Sequence, residues 1–177
     1  MRDHDSLASL QRELRARVGD DYRRAAEEQE SAARILRTSR RTLEEVAFDM
    51  LSRGDIARVG CGSDRVEGPV VDAAGSLATL LGPGNRLVHV NLDGPITLSV
   101  VARSKGSGRS RSRYGASSMQ AKLRQLEREH RGVTLCLATG TVTGEILVVA
   151  KDHVVIDDRD GTRWFLRFGR IGTVARS

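Results

Sequence analysis

The last four residues of this chain, Val174-Ala175-Arg176-Ser177, also occur at Val101-Ala102-Arg103-Ser104. Working back from these two points, a shared pattern emerges. Gly54-Asp55-Ile56-Ala57-Arg58-Val59 lies opposite Gly132-Val133-Thr134-Leu135-Cys136-Leu137, and Val66-Glu67-Gly68-Pro69-Val70-Val71 opposite Val142-Thr143-Gly144-Glu145-Ile146-Leu147. Apolar residues at matching places argue for two copies of one small β unit. Each copy, at roughly 45–50 residues, is near the lower limit for an independent core. The copies are therefore expected to pack on each other, on helices or on other subunits.

Alternation and turn residues place the strands. In the first copy Asp55 to Val59, Val66 to Val71, Leu77 to Leu81, Leu87 to Leu92 and Ile96 to Val101 read as strands, separated by Gly60-Cys61-Gly62-Ser63-Asp64, Gly75-Ser76, Gly82-Pro83-Gly84-Asn85 and Asp93-Gly94-Pro95. On the fourth strand Leu87, His89 and Asn91 share one face, which makes His89 a partly exposed residue. In the second copy Val133 to Ala138, Glu145 to Val149, His153 to Ile156 and Thr162 to Phe168 read as strands, and Asp157-Asp158-Arg159-Asp160-Gly161 as a hairpin turn. Trp164 and Phe165 are adjacent and point to opposite faces, so one is expected in the core and Trp164 is a candidate surface anchor.

Each copy is preceded by a helix. Leu43, Val46, Ala47, Met50 and Leu51 form one apolar face behind the capping-box spacing Thr42-x-x-Glu45. Met119, Leu123 and Leu126 do the same behind Ser117-x-x-Gln120. Upstream, residues 6–51 read as helical with a thin apolar stripe around Ala25, Ala26, Ala32, Ala33, Ile35 and Leu36, which suits pairing with another chain. The predicted fold is α+β: an N-terminal helical arm (1–41), a first helix and five-stranded, strongly bent antiparallel β-barrel (42–103), a flexible linker (104–118) and a second helix and barrel (119–177).

The positive charge is confined to one place. The net charge is +6. Between residues 103 and 131, nine basic side chains face only Glu127 and Glu129, while the rest of the chain balances to within one charge. A local excess of this kind is an electrostatic footprint for a polyanion. Its core, Ser104-Lys105-Gly106-Ser107-Gly108-Arg109-Ser110-Arg111-Ser112-Arg113-Tyr114, has little to bury. Guanidinium groups there suit phosphates, and Tyr114 offers a stacking face. Arg103, Lys105, Arg109, Arg111, Arg113, Tyr114 and Lys122 are the candidate nucleic-acid contacts.

Other chemistry is excluded or weak. Cys61 and Cys136 lack zinc spacing and read as buried free thiols. The Asp cluster around His153 lacks the spacing of a calcium loop. No nucleophile motif or phosphate loop is present, and aromatic residues make up only 3% of the chain. No catalytic residue, metal or cofactor is expected. No apolar run is long enough for a membrane span, and the polar N-terminus does not read as a secretory signal, so a cytoplasmic protein is expected.

A helix followed by five short, bent strands resembles the Sm-like small β-barrel, the class of Sm, LSm and bacterial Hfq. The residues that carry this are Gly54-Asp55-x-x-x-Val59, Gly68, and Val88-x-Val90-x-Leu92 with Ile96 and Val101; then Gly132, Gly144, Asp152 before Val154-Val155-Ile156, and Phe165-x-x-Phe168-x-x-Ile171-x-x-Val174. A generic SH3-like barrel fits nearly as well. The pattern is also similar to uncharacterised proteins of GC-rich bacteria. The Sm-like resemblance implies RNA contact through loops. The last loop of the second copy offers Arg170 there, whereas Leu92-Asp93-Gly94-Pro95 offers no basic residue. The expectation is a non-enzymatic RNA-associated module. The alternative is a protein-interaction module that pairs with itself or another protein through residues 6–51.

Overall fold

The structure is a computed structural model and describes residues 22–23, 26–33, 35–36, 39–104 and 115–177. The chain divides into two units, residues 1–41 and 42–177. In the first, residues 26–33 are helical, and Tyr22, Ile35 and Leu36 are exposed. The predicted helix over residues 6–21 lies outside the described residues.

The second unit begins with helix α1 (Leu43–Arg53). Its capping box forms as the sequence predicts. The Glu45 backbone N–H donates to Thr42 Oγ1 (3.2 Å), and the Thr42 N–H donates to Glu45 Oε2 (3.1 Å). Gly54 closes the helix. Ala47, Met50 and Leu51 pack against Ala57, Val59, Val70, Leu80, Val90 and Leu92. Burying a side chain such as Met50 or Leu51 stabilises by about 1.5–3 kcal/mol, against about 1 kcal/mol for the cap. Packing therefore holds α1 in place, and the cap sets where it starts. Helix α2 (Met119–Arg128) covers a second core in the same way, with Met119, Leu123 and Leu126 against Val133, Leu135, Val154, Ile156, Ile171 and Val174.

The strands are β1 (Ile56–Cys61), β2 (Asp64–Ala74), β3 (Leu77–Leu81), β4 (Leu87–Asn91) and β5 (Thr97–Ala102), then β6 (Gly132–Leu137), β7 (Gly140–Val149), β8 (His153–Asp158), β9 (Arg163–Arg167) and β10 (Ile171–Arg176). They do not close into two barrels. All ten belong to one open antiparallel sheet in the order β5-β1-β2-β3-β4-β10-β6-β7-β8-β9. The two-barrel expectation is therefore wrong, and the fold is largely β. The cause is a seam: β4 pairs with β10, with Thr173 opposite Val90, Val174 opposite His89 and Ala175 opposite Val88. Backbone groups that would otherwise lie on an edge find partners across the seam. Asn91 reinforces it, its Nδ2 donating to the carbonyls of Phe168 (3.0 Å) and Ile171 (2.9 Å).

Gly68 and Gly144 allow close backbone approach. A Cβ on Gly68 would sit 2.0 Å from the Leu81 carbonyl oxygen, and one on Gly144 2.1 Å from that of Asp157. Each glycine precedes a register shift, between Val70 and Asp72 in one strand and between Ile146 and Val148 in the other.

Three local expectations also change. His89 is buried, because β4 has neighbours on both sides. Neither Trp164 nor Phe165 is in the core; β9 is an edge strand, and Leu166 is the residue it buries. The α2 cap is Ser118, whose hydroxyl accepts from the Ala121 N–H (3.2 Å). Gln120 does not complete a box with Ser117, since its Nε2 donates to the carbonyls of Ala150 and Lys151.

Candidate functional site

Lys105, Arg109, Arg111, Arg113 and Tyr114 lie outside the described residues. Both flanks of their segment are fastened to the β unit. On one side the Ser104 N–H donates to Asp55 Oδ1 (3.2 Å), and Asp55 is itself fully buried and held by Arg53 Nε (2.8 Å). On the other, the Ser117 carbonyl accepts from the Ser76 N–H at the β2–β3 turn (3.0 Å). Arg103 is exposed beside the edge strand β5, and Arg170 is exposed in the turn between β9 and β10.

Lys122 has a different setting. It is buried on α2, with Nζ donating to Gln125 Oε1 (3.1 Å). It lines a cleft of about 290 Å³ together with Asn85, Arg86, Leu87, His89 and Arg176. Neither Arg103 nor Arg170 reaches this cleft. Of the sequence-predicted contacts that the structure describes, Lys122 alone lines this cleft, beside Arg86, His89 and Arg176.

The cleft lies on the seam. Asn85 and Arg86 come from the β3–β4 connection, Leu87 and His89 from β4, Lys122 from α2 and Arg176 from the end of β10. Arg86 and Arg176 are exposed, and His89 and Lys122 are buried, so two guanidiniums stand at the mouth over a buried ammonium and imidazole. Arg86 makes no ion pair with any described residue. Arg176 Nη2 pairs with Glu129 Oε2. Glu129 Oε1 accepts from Gln125 Nε2 (3.3 Å), which joins Lys122, Gln125, Glu129 and Arg176 in one chain of contacts.

Burial and then the positive charges of Lys122 and Arg176 push the His89 imidazole down to about pKa 4. It is therefore neutral near pH 7, with Nδ1 3.0 Å from Thr79 Oγ1. Burial also lowers the Lys122 ammonium; Glu129 opposes that shift and Arg176 adds to it. Three cations against one carboxylate leave the cleft positive, and the hydroxyl beside the imidazole, Thr79 Oγ1, is buried and does not line the cleft. Electrostatic capture of an anion is the chemistry this arrangement supports.

A larger cleft, of about 460 Å³, is lined by Glu145, Asp157 and Asp158 among others. Its aspartates are occupied by the hairpin. Arg163 donates to both oxygens of Asp157 and holds its carboxyl below the usual range. Asp158 accepts from Trp164 Nε1 (2.8 Å) and from the N–H groups of Asp160 and Thr162. Among the described residues no group of three or more His, Cys, Asp or Glu is placed to hold a metal ion. Cys61 and Cys136 are buried and unpaired, and burial first, then Cys61, pushes the Cys136 thiol up to about 12.

The signal for the seam cleft was faint. His89 and Thr79 are polar residues in otherwise apolar strands, and Arg176 repeats Arg103, but nothing in the linear pattern pairs β4 with the last strand. Among the described residues no helix is long and apolar enough to cross a membrane. Compared with known proteins, the chain matches no protein-family model and none of the curated proteins.

Proposed function

We propose that the protein is a non-enzymatic, cytoplasmic RNA-associated module. The β unit serves as a rigid base, and the segment from Arg103 to Arg113 supplies most of the phosphate contacts. The observation that carries this reading is the charge distribution: nine basic residues against two acidic ones between 103 and 131, in a chain otherwise balanced. The anchoring of Ser104 and Ser117 supports it, because a basic segment fastened at both flanks pays less entropy on binding than a free tail. The resemblance of the glycine and aliphatic pattern to Sm-like proteins, a class that commonly binds RNA, points the same way.

The test is filter binding of total RNA across a salt series. Arg109→Gln, Arg111→Gln and Arg113→Gln together should remove most of the binding. They should also lower the slope of log affinity against log salt by about 2, three contacts at roughly 0.7 each for single strands. An unchanged triple variant ends the reading.

The second reading is a protein-interaction module acting through the N-terminal helices. Exposed Tyr22, Ile35 and Leu36 favour it, at 76%, 67% and 56% exposure. Deletion of residues 1–41 should then change the number of protomers per particle measured by light scattering while leaving the β unit folded. An unchanged number of protomers counts against it.

A further inference from the structure

We infer that the seam cleft is a phosphate-binding site, with Lys122 at its floor and Arg86 and Arg176 at its mouth. Three cations from segments far apart in the chain converge on one small concavity. Of the three ammonium donors on Lys122, one is engaged by a described residue, Gln125. Arg86 has no ion-pair partner among the described residues. Glu129 offsets one of the three charges and also tethers Arg176, so the guanidinium is held in place. A tetrahedral anion with several acceptor oxygens matches several convergent donors, and guanidinium forks favour phosphate in particular.

Size sets what enters. At about 290 Å³ the cleft is at the lower end of ligand pockets; its apolar wall is Leu87, and its one aromatic ring, the His89 imidazole, is buried rather than presented as an open stacking face. It therefore takes the phosphate group and leaves the rest of the ligand outside. The ligand's identity rests on the RNA reading: Lys122 is on the helix that follows the basic segment in the chain, so the phosphate is one of the RNA backbone, and the cleft adds a fixed register point to the binding. A free phosphate or nucleotide would present the same chemistry.

Two measurements on the full chain separate these cases. In the first, thermal unfolding is followed with rising inorganic phosphate at constant ionic strength, for the wild type, Arg86→Gln and Lys122→Gln. The wild type should gain stability and both variants should lose that gain. Arg86→Gln is the safer variant, since its side chain holds no ion pair with a described residue. In the second, RNA binding is followed by fluorescence anisotropy across a salt series. Arg86→Gln should lower the salt slope by about 0.7, the value for one contact. No phosphate gain in the wild type, or the same gain in Arg86→Gln, overturns the cleft whatever RNA does. A gain abolished by Arg86→Gln in a protein that binds no RNA upholds the cleft as a site for free phosphate and overturns RNA as its source.

Discussion

Val101-Ala102-Arg103-Ser104 and Val174-Ala175-Arg176-Ser177 share every residue and each pair with the first strand of their own half, Ala102 opposite Ile56 and Ala175 opposite Thr134, but only the second has a strand on its other side. Val101 is 40% exposed and Val174 is fully buried. Arg103 is exposed, whereas Arg176 is tied to Glu129 at the mouth of the cleft. The cause is the number of neighbours. β5 pairs with β1 alone, at one edge of the sheet, while β10 lies between β4 and β6. The fourth strands show the reverse pattern: β4 is buried along the seam, and β9, at the other edge, exposes Trp164 and Phe165. Identical side chains thus become core or surface according to which strand lies alongside.

The sharpest way to break this comparison is to place a charge at both valines. Val174→Asp puts an unpaired carboxylate in a fully buried position and should cost roughly 3–5 kcal/mol, much of a small domain's stability. Val101→Asp, on the exposed edge, should stay within about 0.5 kcal/mol. Urea midpoints measure both. Equal losses would mean that β5 is covered in solution, and the edge assignment would fail.

His89 offers a second, smaller test of the seam. Its folded pKa of about 4 lies below the ordinary 6.5. The unfolded chain therefore takes up a proton first as pH falls, and stability declines between about pH 6.5 and pH 4. The full loss is about 3 kcal/mol, and the stability is intact above the unfolded pKa. Carboxylates titrate in part of that range, so the comparison is with His89→Gln, which should show a shallower decline by about that amount. Parallel curves for the two proteins would show that His89 is not shielded as described.

These two tests fall where the sequence was least legible, and the reason is physical. Alternation shows which residues share a strand face, and it places β1 to β9 near their observed positions. It does not show which strand lies next to which, because ladder hydrogen bonds are made by backbone groups that every residue carries. The seam pairs residues more than eighty positions apart, Val90 with Thr173. So the linear pattern makes His89 partly exposed and predicts two barrels where one open sheet exists, and it gives no sign that Arg86 and Arg176 meet. Features fixed within one turn are readable, as the Thr42–Glu45 box shows.

The helix starts give the finest comparison. α1 has a reciprocal box, whereas α2 has a single cap bond, from the Ala121 N–H to Ser118 Oγ. Thr42→Ala should cost about 1 kcal/mol, and Ser118→Ala a similar amount. The discriminating variant is Ser117→Ala. Sequence spacing makes Ser117 the cap, but the structure uses its backbone carbonyl, to the Ser76 N–H, a bond alanine keeps. Ser117→Ala should therefore leave the urea midpoint within the few tenths of a kcal/mol typical of neutral surface changes, while Ser118→Ala lowers it measurably. A larger loss from Ser117→Ala than from Ser118→Ala would move the cap back one residue. It would free Gln120 to complete the box and detach the α2 start from Ala150 and Lys151, the contacts that now tie it to the β7–β8 turn.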